Sequence, residues 1–145
     1  MDEKYYPFER IRINFRYEFL SISNKKRVKK VVLFSKIEDN VYNLALFDEL
    51  ANGLLSDSLE TKNEDLLTVM ATVIQIVKDF LDKNPTSFII FRGNEEKRQR
   101  LYRIIISREF SKISKFFEVY GGVGDEFLSL YEPNQNYDYF LIKKL

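Results

Sequence analysis

Apolar and polar residues alternate along residues 11–19 of the chain. The odd positions hold Ile, Ile, Phe, Tyr and Phe, whereas the even positions hold only Arg, Asn and Glu. Successive side chains of a β-strand point to opposite faces of the sheet, so a period of two indicates a strand with one face in the core and one in water. The pattern therefore predicts a strand over residues 11–19.

Turn signals divide the segments that follow. Turn-forming pairs occur at Asn24-Lys25, Asp39-Asn40 and Asn52-Gly53. Between them lie apolar-rich stretches at residues 28–36 and 41–47. Asn, Asp and Gly favour turns because they tolerate backbone conformations that other residues avoid. The chain is therefore expected to continue as a hairpin and then as a meander of three or four strands.

A long amphipathic helix is predicted from residue 63 to residue 83. Its apolar residues recur at intervals of three and four, which places them on one face of a helix. Residues 61–64 have the form of a capping box, and Asn84-Pro85 ends the helix because proline disfavours a helical conformation in the residue before it. The apolar stripe consists of Leu66, Leu67, Met70, Val73, Ile74, Val77 and Leu81.

The second half of the chain mixes strands and helices. A short apolar run at residues 88–91 predicts a buried strand, and Gly93-Asn94 leads from it into a second helix at residues 95–106. A further short helix is expected at residues 109–115. Strands are then expected at residues 117–120, 127–131 and 137–143, the last with Tyr137 and Tyr139 on one face.

These elements predict an α+β fold, with a single twisted, mostly antiparallel sheet and two main helices packed on it. The chain has 145 residues, which is the usual size of one domain with one core. No repeat or Gly/Ser/Pro-rich linker divides it. We therefore expect a single α+β domain over residues 1–145.

Composition narrows the chemistry open to this protein. The chain has no Cys and no His, which removes thiolate nucleophiles, disulfides, the commonest general base and the commonest metal ligand. No carboxylate spacing matches a metal-binding pattern, so no metal and no cofactor are expected. The absence of Cys also fits the reducing cytoplasm. The first ten residues are charged, and no apolar run approaches the roughly 18 residues that a membrane span requires. We therefore expect neither secretion nor insertion into a membrane.

Charge is unevenly distributed, although the net charge is only +1. One basic segment runs from Lys25 to Lys30 around the predicted hairpin, and another runs from Arg92 to Arg103. Residues 38–65 carry eight acidic residues against one lysine. We interpret the hairpin lysines as protection of a sheet edge against unwanted pairing. The arginines are the better candidates for binding.

One resemblance covers most of the chain. It rests on the segment FIIFRGNEEKRQRLYRIII, with VMATVIQIV before it and FFEVYGG and YDYFLIKK after it. These segments resemble a family of small bacterial proteins classed as a domain of unknown function, in which a glycine-containing turn opens a helix with an Arg-x-Arg-Leu-Tyr-Arg core. That core is matched here by Arg98, Arg100, Leu101, Tyr102 and Arg103. The resemblance implies a bacterial α+β domain and brings no agreed activity.

The segment from Arg92 to Arg103 is the best candidate for a functional site. Gly93 allows a tight turn, and the helix that follows presents free N–H groups to an anion such as phosphate. Glu95 and Glu96 already place negative charge at that end of the helix, and no phosphate-loop motif is present. A plain strand-to-helix turn is therefore the favoured interpretation.

Arg98 is the most informative residue of this segment. At about 100° per residue it falls within the apolar arc of its helix, whereas Arg103 is predicted to point to solvent. A guanidinium in that position needs a negative partner. The partner is either an internal carboxylate such as Glu18 or Asp48, which is favoured, or a ligand's phosphate or carboxylate. The candidate ligand-binding residues are Arg92, Arg98, Arg100 and Arg103.

The favoured function is a non-enzymatic binding module whose basic helix face binds an acidic protein or single-stranded nucleic acid. Tyrosines beside that face would stack on unpaired bases. The tyrosines considered are Tyr5, Tyr6, Tyr17 and Tyr102. One alternative is a small ribonuclease-like toxin in which an arginine stabilises the transition state and Tyr102, Lys97 or a glutamate moves the proton. Another is a homo-oligomer that pairs its edge strands with a second copy.

Overall fold

The structure, a computed structural model, describes residues 4–11, 15–23, 26–56, 65–93, 95–125 and 127–145. The strands are β1 (Phe8–Ile11), β2 (Arg16–Ile22), β3 (Arg27–Glu38), β4 (Val41–Glu49), β5 (Leu55–Ser56), β6 (Phe88–Phe91), β7 (Phe117–Val123), β8 (Phe127–Leu130) and β9 (Tyr139–Lys144). The helices are α1 (Leu66–Lys83) and α2 (Glu96–Ile113).

The described strands form one sheet. Eight of them follow the order β1-β2-β3-β4-β6-β9-β7-β8, and β5 pairs with the end of β4. Every neighbouring pair among these strands is antiparallel except β4 with β6, which α1 connects. The predicted fold class, an α+β protein with one mostly antiparallel sheet and two main helices, is confirmed. Neither described helix is both long and apolar enough to cross a membrane.

Both helices pack on the same face of the sheet. Their buried side chains form one core cluster with alternate residues of the strands. Phe80 of α1 lies inside an aromatic group within that cluster. Its ring stacks on Phe34 with the centroids 4.1 Å apart, and Phe15 and Tyr42 pack edge-on against it. Such ring pairs stabilise a core beyond their buried area alone.

The prediction of one strand over residues 11–19 is wrong. β1 ends at Ile11 and β2 begins at Arg16, and the two strands form an antiparallel hairpin. Phe15 has a φ of 49°, a left-handed conformation suited to a chain reversal. Part of the prediction, residues 12–14, lies outside the described residues. A period of two indicates that successive side chains point to opposite faces of a sheet. It does not indicate where the chain reverses direction.

The predicted meander is confirmed. β2, β3 and β4 pair in sequence order, each antiparallel to the next. Asn40 and Gly53 occupy two of the predicted turns and have φ values of 64° and 84°. Gly has no Cβ to oppose this conformation, and Asn tolerates it better than most residues. The third predicted turn, Asn24-Lys25, lies outside the described residues.

The interpretation of the hairpin lysines as edge protection is wrong. β3 pairs with β2 on one side and with β4 on the other, so it is an interior strand. Lys29 lies 3.1 Å from Glu18 and 3.3 Å from Glu49, on the sheet face away from the helices. Lys30 lies on the helix face, where its Nζ is 2.5 Å from an Asp48 oxygen. These cations serve cross-strand ion pairs.

The helix α1 is close to its prediction. It begins at Leu66, three residues later than expected, and ends at Lys83 as expected. Ten of its 18 residues are buried, so packing rather than helix propensity stabilises it. The predicted capping box at residues 61–64 lies outside the described residues.

The carboxylate of Asp65, the residue before α1, joins the start of the chain to the helix and the sheet. It accepts hydrogen bonds from the hydroxyl groups of Tyr6 and Ser21, each at 2.5 Å. The hydroxyl of Thr72, on the next turn but one of α1, accepts a bond from the Tyr6 N–H at 2.8 Å. The segment before β1 is thereby fixed to α1 and β2 by side-chain contacts.

The helix α2 is one continuous helix, whereas the sequence predicted two, at residues 95–106 and 109–115. The predicted break falls at Ser107 and Arg108, two polar residues after an apolar run, and the further short helix is predicted to begin at Glu109. In the continuous helix Glu109 is buried, together with Gln99, Tyr102, Ile105, Ile106 and Ile113. The strands β6 to β9 occur within three residues of their predicted bounds.

Two tyrosine rings lie flat on glycines of β7. A Cβ added at Gly121 would overlap the Tyr137 ring, and one added at Gly122 would overlap the Tyr139 ring. Because Gly121 and Gly122 face opposite sides of the sheet, the two tyrosines do as well. The prediction that they share one face is wrong, because β9 begins at Tyr139 and the strand period does not extend back to Tyr137.

The ion pair between Lys30 and Asp48 yields a stability prediction. Both residues are nearly buried, at 9% and 5% exposure. We expect Asp48→Ala to lower the free energy of unfolding by about 3–5 kcal/mol, because it leaves a buried ammonium group without its counter-charge. Replacing both residues, as Lys30→Met with Asp48→Leu, should recover most of the loss. Urea denaturation measures each value.

Lys36 supplies the control for this pair. It forms an exposed ion pair with Asp39 at 3.4 Å, and exposed pairs contribute about 0–1 kcal/mol. Lys36→Ala should therefore change stability little. A loss on Asp48→Ala no larger than that on Lys36→Ala would contradict the role assigned to the buried pair.

Asp79 yields a prediction of pH dependence. Partial burial disfavours its charged form, but hydrogen bonds from Lys83 at 2.5 Å and Tyr17 at 2.6 Å outweigh burial and hold its pKa below the ordinary 3.8. A lowered pKa stabilises the fold above about pH 4, and this contribution is lost as the pH falls through the folded-state pKa. We expect Asp79→Asn to cost up to about 1 kcal/mol at pH 6 and less at pH 3.

Urea denaturation at the two pH values measures this difference. Asp39→Asn is the matched control, because the Asp39 side chain is 96% exposed. A penalty for Asp79→Asn that is as large at pH 3 as at pH 6 would show that the Asp79 charge does not stabilise the fold.

Candidate functional site

The turn between β6 and α2 is held by close backbone packing. A Cβ added at Gly93 would lie 2.5 Å from the backbone nitrogen of Gln99, so only glycine fits. The Gly93 N–H donates to Gln99 Oε1 at 2.7 Å. Gln99 thus folds back on the turn that precedes its own helix and fixes where α2 starts.

The backbone carbonyl of Tyr137, just before β9, also fixes the position of α2. It accepts a bond from Gln99 Nε2 at 3.2 Å and a bond from Arg103 Nε at 2.7 Å. Arg103 also forms an ion pair with Glu96 at 2.8 Å, and its side chain is only 16% exposed. The prediction that Arg103 points to solvent is wrong, because the segment before β9 lies along that side of α2.

The rotation of α2 distributes the four candidate arginines between two cavities. Arg98 and Arg100 are about 200° apart around the helix. Arg98 and Arg92 line one cavity, and Arg100 and Arg103 line the other. The four residues therefore do not form one site.

The cavity lined by Arg100 and Arg103, which we term the arginine groove, has a volume of about 990 Å³ and lies between α2 and the loop before β9. Arg100 is exposed and forms no ion pair within the described part of the chain. Arg108 is 62% exposed, and its nearest carboxylate, on Glu109, is 3.9 Å away. The lining residues are Glu96, Arg100, Arg103, Ile104, Ser107, Arg108, Pro133, Asn134, Gln135, Asn136 and Asp138.

Sequence reasoning missed Arg108 and the amide side chains of residues 134–136. Arg108 was missed because the predicted second helix ended at residue 106, which removed it from the face of Arg100. The lack of Gly or Pro over residues 95–120 was the available signal for a longer helix. No sequence signal predicts the position of the amide side chains, because they approach α2 only through tertiary contacts.

The second cavity, which we term the strand-edge cavity, has a volume of about 250 Å³ and lies between α2 and β4. The guanidinium group of Arg98 lies near the Tyr102 hydroxyl there. Burial raises the pKa of Tyr102 to about 12, although Arg98 acts in the opposite direction. The phenol is therefore neutral at pH 7. The lining residues are Asn43, Leu44, Ala45, Leu46, Phe47, Phe91, Arg92, Gly93, Arg98 and Tyr102.

The internal partners predicted for Arg98 are engaged elsewhere. Glu18 binds Arg16 at 2.8 Å and Lys29 at 3.1 Å, and Asp48 binds Lys30. Both carboxylates lie on β2 and β4, where cross-strand neighbours of opposite charge reach them first. The prediction that one of them pairs with Arg98 is not supported by the contacts described.

Arg92, in the turn between β6 and α2, lines two different cavities. It is exposed and lines the strand-edge cavity. It also lines a cavity of about 310 Å³ together with Glu95, Glu96 and Asp138. No group of three or more acidic residues that could hold a metal ion occurs in the described part of the chain.

The fold and these cavities define an α+β protein whose second helix carries arginines on two sides. Residues 2–145 match DUF6934, a family of unknown function, and the chain belongs to that family. No curated protein and no solved structure matches the chain. The resemblance to a family of unknown function is thereby confirmed, whereas its bacterial origin and its Arg-x-Arg-Leu-Tyr-Arg motif stay predictions.

The two hydrogen bonds of Gln99 yield a prediction. Gln99 is 4% exposed, and Gln99→Leu keeps its size while removing both bonds. We expect the free energy of unfolding to fall by about 1–3 kcal/mol, because the partly buried Gly93 N–H loses its acceptor. Urea denaturation measures the change. Lys97→Leu, at an exposed position of the same helix, is the control, and an equal loss in both variants would contradict the role of Gln99.

Proposed function

We propose that the protein is a non-enzymatic binding module that holds an acidic segment of a partner protein in the arginine groove. The observation that carries the proposal is the pair of exposed guanidinium groups on one wall, Arg100 and Arg108. Guanidinium groups bind carboxylates through strong, charge-assisted hydrogen bonds. The groove's own carboxylates are already engaged, because Glu96 binds Arg103 and Asp138 accepts a bond from the Gly124 N–H.

The opposite wall suits an extended peptide. The side chains of residues 134–136 carry amide groups, which donate and accept hydrogen bonds as a peptide backbone does. Arg100 and Arg108 are eight residues apart on α2, or about 12 Å along its axis. An extended chain advances about 3.3 Å per residue. Two carboxylates four residues apart on the peptide lie on the same face of the extended chain and would therefore reach both arginines.

The environment of the tyrosines favours a protein ligand over single-stranded nucleic acid. Unpaired bases bind by stacking on aromatic rings as well as by phosphate contacts. No aromatic residue is among the described lining residues of the groove. Tyr17 and Tyr102 are buried, Tyr6 is bonded to Asp65, and Tyr5, which is 46% exposed, is not among the described lining residues of the groove. Within the described lining of the groove, the nucleic-acid version of the hypothesis therefore has charge to support it but no aromatic ring on which a base could stack.

The two alternatives receive less support. The ribonuclease-like alternative needs a group that accepts a proton, and the raised pKa of Tyr102 keeps that hydroxyl protonated at neutral pH. Glu96 is held by Arg103. The homo-oligomer alternative stays a prediction, with β1 and β8 as the edge strands of the described sheet.

Charge reversal in the groove tests the proposal. The probe is a fluorescent ten-residue peptide with glutamate at every second position, and binding is followed by fluorescence anisotropy. We expect Arg100→Glu with Arg108→Glu to weaken binding at least about 100-fold, because each of the two charged hydrogen bonds contributes about 1.5–3 kcal/mol. Added salt should weaken binding to the unmodified protein.

Two controls accompany this experiment. Lys115→Glu reverses one charge, where the groove variant reverses two, at an exposed position outside the groove, and it should leave peptide binding within about threefold of the original. A ten-nucleotide single-stranded RNA tests the other ligand class. Tighter binding of RNA than of peptide, or an equal loss in the Lys115→Glu variant, would overturn the proposal.

A further inference from the structure

The strand β8 lies at one edge of the described sheet and carries no charge. The strand order places β1 at the opposite edge. β1 has the sequence FERI, with Glu9 and Arg10 exposed, whereas β8 has the sequence FLSL. Charged side chains on an edge strand hinder its pairing with another chain. The edge at β1 has this protection, and the strand β8 lacks it.

The backbone groups of Leu128 and Leu130 point away from β7. The Tyr131 N–H donates to the Val119 carbonyl at 2.9 Å, and Leu130 lies opposite Tyr120. Directly opposite residues of an antiparallel pair alternate between pairs that bond each other and pairs that do not. The odd-numbered residues of β8 therefore bond β7, and the N–H and C=O groups of Leu128 and Leu130 face outwards.

The side chains of the same two leucines are exposed on the outer face of the sheet. Tyr137 belongs to the core and packs on Gly121, so Gly122 faces away from the helices. Leu128 pairs with Gly122 and therefore lies on that outer face, as does Leu130 two residues later. Leu128 is 50% exposed and Leu130 is 61% exposed. Adjacent exposed apolar side chains of this kind mark an interaction surface.

We propose that β8 pairs with β8 of a second copy of this chain and joins the two sheets into one. Antiparallel pairing centred on Ser129 places Leu128 opposite Leu130 of the partner subunit, and Leu130 opposite Leu128 of the partner subunit. The same residues are used by both copies, as a twofold axis requires. The outward-facing backbone groups then bond each other, and the leucine side chains form one apolar stripe across the junction.

Charge and area both fit a second copy. Because β8 is uncharged, two copies do not repel each other at the junction. Strands of four residues bury less than the about 1,200 Å² of a standard stable interface, so the dimer is weak. We expect a dissociation constant on the order of 10 µM.

The edge of β8 is out of reach of residues 57–64, the longest segment outside the described residues. That segment connects Ser56, which pairs with β4, to Asp65, which bonds Ser21 of β2. A path from β5 to β8 and back to β2 crosses about nine strand spacings, or about 43 Å at about 4.8 Å each. The segment spans at most about 32 Å when fully extended. Each of the other undescribed segments is at most three residues long.

The dimer is compatible with a binding module but does not rest on the arginine groove. The groove is lined by α2 and residues 133–138, whereas the junction consists of β8. Added salt should leave the dimer unchanged, because β8 is uncharged, but it should weaken peptide binding in the groove. Failure of either proposal therefore leaves the other standing.

Sedimentation velocity on the full chain, from about 2 to about 200 µM, tests the inference around the expected dissociation constant. The average mass should rise with concentration from the 17.3 kDa of one chain towards twice that value. Leu128→Lys with Leu130→Lys should raise the dissociation constant at least tenfold, because like charges then lie opposite each other. The matched control is Ile22→Lys with Ile37→Lys, at positions 49% and 56% exposed, and it should stay within threefold.

A cysteine at the proposed twofold axis gives a second test. The chain has no cysteine of its own. In the proposed register Ser129 lies opposite its own copy, where the two Cα atoms are about 4.5 Å apart, a distance that a disulfide can bridge. We expect the oxidant diamide to link Ser129→Cys into a covalent dimer and to leave Ser35→Cys, at an exposed position of β3, monomeric.

Three results would overturn the inference. They are a monomer at every concentration, a dimer that Leu128→Lys with Leu130→Lys does not weaken, and equal cross-linking of the two cysteine variants. Circular dichroism of each variant shows whether it keeps its fold, and the cysteine test holds even if the lysine variant unfolds.

Discussion

The parallel pairing of β4 with β6 is the constraint on which the rest of the architecture depends. Two adjacent parallel strands cannot be joined by a tight turn, so the chain must cross over one face of the sheet. The helix α1 makes that crossing, and burial of ten of its residues supplies the centre of the core. The overlap with β6 is only four residues long. β6 therefore covers only residues 41–44 of that edge of β4.

The helix α2 is held at a fixed rotation by polar contacts rather than by an apolar stripe alone. Gln99 bonds the turn at Gly93, and the Tyr137 carbonyl accepts bonds from both Gln99 and Arg103. This rotation assigns each arginine its environment. Arg103 becomes a structural residue, whereas Arg100 is left at the surface of the groove. Arginines that are close together in the sequence thus lie in different environments.

Hydrophobic periodicity identified most elements and failed where the chain changes direction or where polar residues interrupt the apolar pattern of a helix. The alternation at residues 11–19 continues through the hairpin turn near Phe15, so one strand was predicted where two exist. The helix α2 was predicted as two helices with a break at residues 107–108, although the helix continues through both residues to Ile113. In both cases the local pattern was correct, and the conclusion about the extent of the element was wrong.

The sequence by itself determined the types and approximate bounds of the later strands, the helix α1 and the α+β class, because these depend on patterns within a few residues. It also indicated the segment from Arg92 to Arg103 as the candidate for a functional site. The tertiary structure decided the strand order, the pairing of Lys30 with Asp48 and the separation of Arg98 from Arg100 into two cavities. Those features depend on contacts between residues distant in the chain. A local pattern specifies which face of an element is apolar, but not which neighbour will cover it.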